Sequence, residues 1–421
     1  MAVAAVALSS LPDRILDPVE PSEKIADSPF TVEWLLEALA IGDEKFQGYS
    51  RRFTVEKVTA ADISQGKGFV SKVYNVSIEF DGLEKPYEVI LKVPGTESIK
   101  EATSDVHGEE DRLNVNHIAN VHNLECEFYT KYAPHIDIPV VKIFKTVEWI
   151  LGEQPGAVLM ESKVGSAASS PLWMGCSSQQ MYTMAKSLAS LMSYFLCLPQ
   201  EQWIGKYNNE VFASVCEKEF FAPFYKKLVE MKPGMFDKGV EIFEKLTKSR
   251  KFVQYAMVGV AKEIGLPSVL SHGDLWANNV LWKKNPDGSL SNELAAIIDW
   301  QVIHEGSITN DLARFISHCV DGDVRREHEF QVLEYYYNTI VQLMREQNRE
   351  VEFTYEQMKY AYKVNFVVQT MMVTVMGPFL FQEKDLSPVK KAQLDKILLR
   401  SQLAMEDALE YMKEMPADKL V

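Results

Sequence analysis

Three residues in the second half of the chain, Asp274, Asn279 and Asp299, have the types and spacing that phosphoryl transfer requires. They stand in Ser271-His272-Gly273-Asp274-Leu275-Trp276-Ala277-Asn278-Asn279 and in Ala295-Ala296-Ile297-Ile298-Asp299-Trp300. One carboxylate can orient an acceptor hydroxyl and take its proton, while an amide oxygen and a second carboxylate hold Mg²⁺ against a triphosphate. Asp274 is assigned the first task, Asn279 and Asp299 the metal. Taken singly, Asp274 could cap a turn and Asp299 could merely end a strand. Three such residues at compatible spacing favour the chemical reading. Asn278 competes for the ligand position, and the five-residue offset from Asp274 favours Asn279. His272 is read as structural, its ring nitrogens holding the loop, because a nearby carboxylate already suits the proton transfer.

For these residues to converge, the chain must fold back on itself between them. Val280 to Trp282 and Leu294 to Ile298 read as strands flanking the turn formers Asn285-Pro286-Asp287-Gly288, so both ends of this hairpin lie close in space. The surrounding chain is mostly helical. Ser177 or Ser178 can cap a helix whose Met181, Met184, Ala185, Leu188, Met192 and Phe195 recur at three-and-four spacing. Phe330 to Met344 repeats the pattern, and Ser387-Pro388 opens a last long helix. Upstream, Phe53 to Val58, Lys72 to Phe80 and Tyr87 to Val93 read as an antiparallel meander, followed by a polar stretch from Gly95 to His122. A helix over about Asn123 to Tyr132 and two further strands, Val140 to Val147 and Ala157 to Met160, precede a small-residue segment that marks a boundary. The expected division is an N-terminal extension over 1–50, a sheet-rich domain over 51–161 and a helical domain over 162–421.

His-Gly-Asp-x-x-x-x-Asn followed by Ile-Asp-Trp resembles the small-molecule branches of the protein-kinase-like superfamily: aminoglycoside phosphotransferases, choline kinases and ecdysteroid kinases. The strings His272 to Trp276, Ile298-Asp299-Trp300-Gln301 and Asp311-Leu312-Ala313 are most similar to the CHK kinase-like, or ecdysteroid-kinase-like, group. The resemblance spans about residues 50 to 400. It implies an α+β, two-lobed protein-kinase-like fold, with an antiparallel-sheet N-lobe and a mainly helical C-lobe.

The resemblance also implies further parts. A phosphate-covering loop is expected at Gln65-Gly66-Lys67-Gly68-Phe69-Val70-Ser71, with Gly66 and Gly68 letting backbone N–H groups approach phosphates and Ser71 standing where a third glycine would be. Lys92, in Val89-Ile90-Leu91-Lys92-Val93, is the phosphate-binding lysine, and a lysine amid apolar strand residues is costly to bury without an anion. Its implied partner is Glu125, with Glu127 as second choice because two positions on a helix turn to a different face. Met160, Glu161 and Ser162 form the implied hinge that reads the adenine edge through backbone groups. Asp311 matches the acidic residue that supports the catalytic loop, and a helix N-cap explains it almost equally well.

The function expected is ATP- and Mg²⁺-dependent phosphorylation of a hydroxyl on a small molecule. The short stretch between Asp299 and Asp311 leaves no room for a protein-substrate activation segment. Alternatives are a kinase for choline- or ethanolamine-like cations with Trp276 and Trp300 in an aromatic cage, a nucleotide-binding pseudokinase, and a carrier holding an apolar ligand among Met371, Met372 and Met376.

Composition sets outer bounds. The chain has 421 residues, of which 47% are hydrophobic and 24% charged, enough for large cores and incompatible with global disorder. Its net charge of -15 repels phosphate backbones and anionic lipid, so neither nucleic acid nor a membrane is an expected partner. Five scattered cysteines with no Cys-x-x-Cys suggest reduced thiols and a cytosolic setting. Met1 to Leu8 lacks the basic flank of a signal peptide. Val364 to Phe381 reads as a buried core helix ending at Gly377-Pro378. The long polar segment from Gly95 to His122 is read either as an acidic lid or as a surface insertion.

Overall fold

A computed structural model describes residues 19–64, 71–95, 115–208, 220–382 and 385–420. The chain divides into two compact units. One combines the described residues up to Pro134 with Val141–Val164, and the other combines His135–Val140 with the described residues from Gly165 onward.

The first unit is built on a five-stranded antiparallel sheet of β1 (Val55–Asp62), β2 (Ser71–Phe80), β3 (Tyr87–Pro94), β4 (Ile143–Val147) and β5 (Ala157–Glu161), in the order β1-β2-β3-β5-β4. The meander expected from the sequence is present. Its first strand lies later than predicted, because β1 is an edge strand that leaves most of its residues exposed and so lacks a strong apolar alternation. The helix expected from Asn123 begins earlier, at Val115, and ends at Glu127, with a π-helical turn from Phe128 to Tyr132. Its buried stripe runs through Ile118, Ala119, Val121, His122, Glu125 and Cys126. Two members of that stripe are polar or charged, which hid its periodicity.

The two units differ from the expected segmentation at His135–Val140, which joins the second unit, at the boundary, which falls after Val164, and at the N-terminus. Residues 19–50, expected as an N-terminal extension, contribute to this unit's core. Val19, Ile25, Phe30, Leu35, Leu36, Leu39 and Phe46 are buried in one cluster with Tyr74, Val76, Ile78, Val89 and Leu91 of the sheet. Asp43, the N-cap of helix Glu44–Ser50, accepts hydrogen bonds from the N–H of Phe46 at 2.9 Å, the Tyr87 hydroxyl, and Lys142 Nζ at 2.8 Å. A single buried carboxylate thus fastens this segment to the sheet.

The second unit is mainly helical. Helix Ser178–Cys197 opens with a capping box in which Ser177 and Gln180 bond reciprocally. Helix Pro388–Met412 is capped by Ser387 as its Ser-Pro start predicts. Helix Tyr355–Leu380 is long and apolar enough to cross a bilayer, and 78% of its most apolar stretch is buried within the unit. It does not stop at Gly377-Pro378 as predicted: Pro378 lies inside its last turn. Every residue of helix Asn310–Cys319 is buried.

Two small antiparallel sheets carry the chemistry-bearing loops. β6 (Ala167–Ser169) pairs with β8 (Val280–Lys284), which pairs with β9 (Leu290–Ile297), giving the predicted hairpin. β7 (Ser268–Ser271) pairs with β10 (His304–Ser307), a ribbon that no sequence signal had indicated. His135–Val140 joins this unit because Ile297 N–H donates to Pro139 O at 2.9 Å.

Candidate active site

In the first unit, Lys92 lies on β3 and Glu125 on helix Val115–Glu127, and Lys92 Nζ donates to Glu125 Oε2 at 2.6 Å. Side-chain exposures are 9% for Lys92 and 1% for Glu125. Glu127, the second choice, instead binds Lys131 one turn on, at 3.2 Å. His122, on the same helix, donates through Nε2 to Val147 O at 2.8 Å. Burial, reinforced by the Lys92 charge, pushes its imidazole down to about 4. Burial and then the Glu125 charge push the Cys126 thiol up to about 12, so this Cys–His neighbour pair is neutral and not a nucleophile. Gly156 makes room for the ring: a Cβ there would sit 2.6 Å from His122 Nε2.

Ser71 opens β2 and is buried, while Gly66 and Gly68 lie outside the described residues. Of the hinge residues, Met160 is buried on β5. Glu161 N–H donates to Lys142 O at 2.9 Å within the sheet. Ser162 donates to Asn75 Oδ1 at 3.2 Å.

In the second unit, the catalytic string is organised around Asp274. Asn279 Nδ2 donates to Asp274 O at 2.8 Å and lies 3.2 Å from Asp274 Oδ2. With its amide hydrogens committed there, Asn279 has Oδ1 as the atom able to meet a cation. Asn279 O accepts the N–H of Ile298 at 3.0 Å, which holds Asp299 beside it. Asp299 adopts φ +67°, an uncommon conformation for a residue with a side chain, and this turns the chain sharply at the end of β9. Trp300 folds back so that its indole Nε1 donates to Ile297 O at 3.1 Å. The structure therefore brings Asp274 and Asn279 into direct contact and tethers Asp299 through one backbone bond.

The loop itself is fixed from several sides. His272 accepts the N–H of Asp274 through Nδ1 at 3.1 Å and donates through Nε2 to Ile298 O at 3.0 Å, the structural role expected of it. Its ring packs on Trp300 with centroids 4.5 Å apart. Asp311 accepts the N–H groups of His272 at 2.7 Å and Gly273 at 2.9 Å. Thr309, not Asp311, is the N-cap of its helix, so loop support replaces the capping alternative. Gly273 has φ +84°, and a Cβ would meet Val302 O at 2.5 Å and His304 Nδ1 at 2.7 Å, so only glycine fits.

Two residues were missed from sequence. Arg314 Nη2 donates to Asp274 Oδ1. Its position one helical turn after Asp311, directly following the Asp311-Leu312-Ala313 string, was an available signal. His304, fully buried with its imidazole pushed down by burial, packs against Gly273 and had no sequence signal.

The residue set suits Mg²⁺ on chemical grounds. Among the described residues no group of three or more His, Cys, Asp or Glu could hold a metal. One amide oxygen and one carboxylate would suffice for Mg²⁺, which takes its remaining ligands from phosphates and water.

Against this geometry, comparison with known proteins is informative. The family model DUF1679, described as "Uncharacterized oxidoreductase dhs-27", matches residues 44–415. The chain belongs to the DUF1679 family. A Caenorhabditis elegans protein named "Uncharacterized oxidoreductase dhs-27" is 28% identical to this DUF1679 chain over 314 residues, covering 72% of the chain and 37% of that protein. The DUF1679 chain thus spans little more than a third of that relative. A second Caenorhabditis elegans protein, "Uncharacterized kinase-like protein D1044.1", is 21% identical over 340 residues, 76% of the chain and 83% of that protein. Among solved structures, choline kinase from Cryptosporidium parvum Iowa II superposes with a TM-score of 0.50 at 11% identity, covering 91% of the chain and 96% of the enzyme. The DUF1679 chain therefore has the α+β, two-lobed kinase-like fold expected from its sequence.

Proposed function

We propose that the chain is an ATP- and Mg²⁺-dependent kinase that phosphorylates a hydroxyl of a small molecule in the cytosol. The observation that carries this reading is the contact of Asp274 with Asn279, with Asp299 tethered alongside. In it, Asp274 orients the acceptor hydroxyl and takes its proton, and Asn279 Oδ1 and the Asp299 carboxylate would hold the metal. Bound Mg²⁺ neutralises charge on the phosphate oxygens. Lys92, steadied by Glu125, meets a nucleotide phosphate. A buried ion pair is weak evidence for stability, since apolar residues of similar volume would usually do as well, so its presence supports a functional role.

The kinase-like relative and the choline kinase fold support phosphotransfer as the reaction class. The motif resemblance to ecdysteroid-kinase-like proteins points the acceptor toward steroid or xenobiotic alcohols. The choline-like alternative is weakened because Trp300 is 1% exposed and engaged with His272 and Ile297, so it is not placed to cage a cation. The carrier alternative is weakened by the burial of Met371 and Met376 in the helical core. The oxidoreductase in the longer relative's name belongs to a protein of which this chain aligns with 37%.

The test is transfer of label from γ-labelled ATP into a mixture of small hydroxylated metabolites, compared between wild type and Asp274→Asn. Mg²⁺-dependent labelling that the substitution abolishes supports the proposal. Nucleotide binding with no transfer to any acceptor or to water would leave the pseudokinase reading in its place.

A further inference from the structure

We infer that Arg314 is a positioning residue that sets which oxygen of Asp274 receives the acceptor proton. The inference rests on the kinase reading and adds to it a residue outside the motif set. The Arg314 guanidinium forms a fork: Nη2 donates to Asp274 Oδ1, and Nη1 donates to Gln369 Oε1 at 3.0 Å. Gln369 Nε2 in turn donates to Asn310 Oδ1 at 2.9 Å. The chain of contacts Asp274–Arg314–Gln369–Asn310 therefore runs from helix Asn310–Cys319 to helix Tyr355–Leu380 and back.

Exposure along this chain is graded. Asn310 and Gln369 are almost wholly buried and Arg314 is 6% exposed, whereas the side chain of Asp274 is 29% exposed. The rigid end is interior and the reactive end faces outward. A carboxylate's terminal torsion is broad and nearly two-fold, so an unrestrained Asp274 would sample many orientations. With Oδ1 bound to the planar fork and Asn279 Nδ2 alongside Oδ2, one lone-pair direction of Oδ2 is left for an incoming hydroxyl. In the transfer, the hydroxyl oxygen bonds to the γ-phosphorus. The bond from that phosphorus to the bridging oxygen breaks, ADP leaves with the electron pair, and the hydroxyl proton passes to Asp274 Oδ2. A guanidinium fork fixes this geometry in a way that a lysine point charge does not.

The experiment compares wild type with Arg314→Gln, Arg314→Ala, Gln369→Met and the Arg314→Gln/Gln369→Met double variant. It measures turnover of γ-labelled ATP, with water and with hydroxylated metabolites as acceptors, beside calorimetric affinity for MgADP. Arg314→Gln is expected to lower kcat about 100-fold with MgADP affinity and KM for ATP unchanged, the scale on which misplacing a reacting group acts. Gln369→Met, which does not touch Asp274, is expected to reproduce part of that loss, and the double variant to be no worse than Arg314→Gln. Guanidinium ion added to Arg314→Ala should restore turnover, which a folding defect would not allow. Unchanged kcat in Arg314→Gln, or an equal loss of MgADP affinity, or strictly multiplicative effects in the double variant, overturns the inference. A wild-type protein that transfers no phosphate instead overturns the kinase reading and this inference with it.

Discussion

The carboxylate of Asp311 meets the backbone N–H of His272 at 2.7 Å, across 39 positions of sequence, and the same group takes the N–H of Gly273. Two consecutive donors of the catalytic loop thus end on one charged acceptor. Asp311→Ala should destabilise the protein by about 3 kcal/mol, since hydrogen bonds to charged groups contribute about 1.5–3 kcal/mol each. Urea denaturation measures this, and an unaltered midpoint would mean that the loop is held by other contacts.

Asp274 and Asp299 should respond differently to loss of charge. Asp274→Asn is expected to leave Mg²⁺–nucleotide binding intact and to cut turnover by about 10²–10⁴-fold, the usual worth of general-base help. Asp299→Asn should weaken nucleotide binding only when Mg²⁺ is present. Calorimetry with and without chelator, beside the labelled-ATP assay, separates the two, and identical behaviour of both variants would contradict the assigned roles.

Breaking the Lys92–Glu125 pair from one side takes a 2.6 Å charged partner away from a buried charge. Lys92→Met and Glu125→Gln should each destabilise the protein by about 3–5 kcal/mol, while the Lys92→Met/Glu125→Leu double variant should recover most of the loss. Nucleotide affinity should be impaired in all three. Recovery of stability without recovery of binding is the outcome that marks the pair as functional.

Acid sensitivity has a local source in His122. The unfolded imidazole titrates near 6.5 and the folded one near 4, because burial disfavours the charged form. Between those values the unfolded chain binds more protons, so stability falls as pH drops from about 6.5 to about 4 and this contribution is fully lost below. The contribution is on the order of 3 kcal/mol. His304 and His318, also depressed by burial, act in the same direction. His122→Gln should therefore flatten the acid side of the stability curve without abolishing it, as chemical denaturation at several pH values would show.

Legibility in the sequence followed the range of the interactions. The hairpin between Asn279 and Asp299 was readable because strand composition and a four-residue turn signal sit together in the chain. Glu125 was preferred to Glu127 through its placement in the family resemblance, and helix periodicity added that the two lie on different faces, as their separate partners show. The pairing of Arg314 with Asp274 was not readable, since 40 positions separate them and only the packing of a fully buried helix brings them together. The β7–β10 ribbon was hidden for the same reason: its strands are four residues each, too short for alternation to register.

Helix Val32–Gly42, which contributes Leu35, Leu36 and Leu39 to the core of the first unit, carries a practical consequence for swapping parts between relatives. Similarity to the family model begins at residue 44, yet Leu35, Leu36 and Leu39 are fully buried against the sheet that carries Lys92. A chimera joined at the edge of the similarity would strip those side chains from the sheet and offer it a mismatched surface. Each fully buried leucine replaced by a poorly fitting neighbour carries a cavity cost of about 2–5 kcal/mol, so a few such mismatches exceed the stability of most domains. Recombination breakpoints that preserve a folded N-terminal unit must therefore fall upstream of Val19, well outside the region that the family model matches.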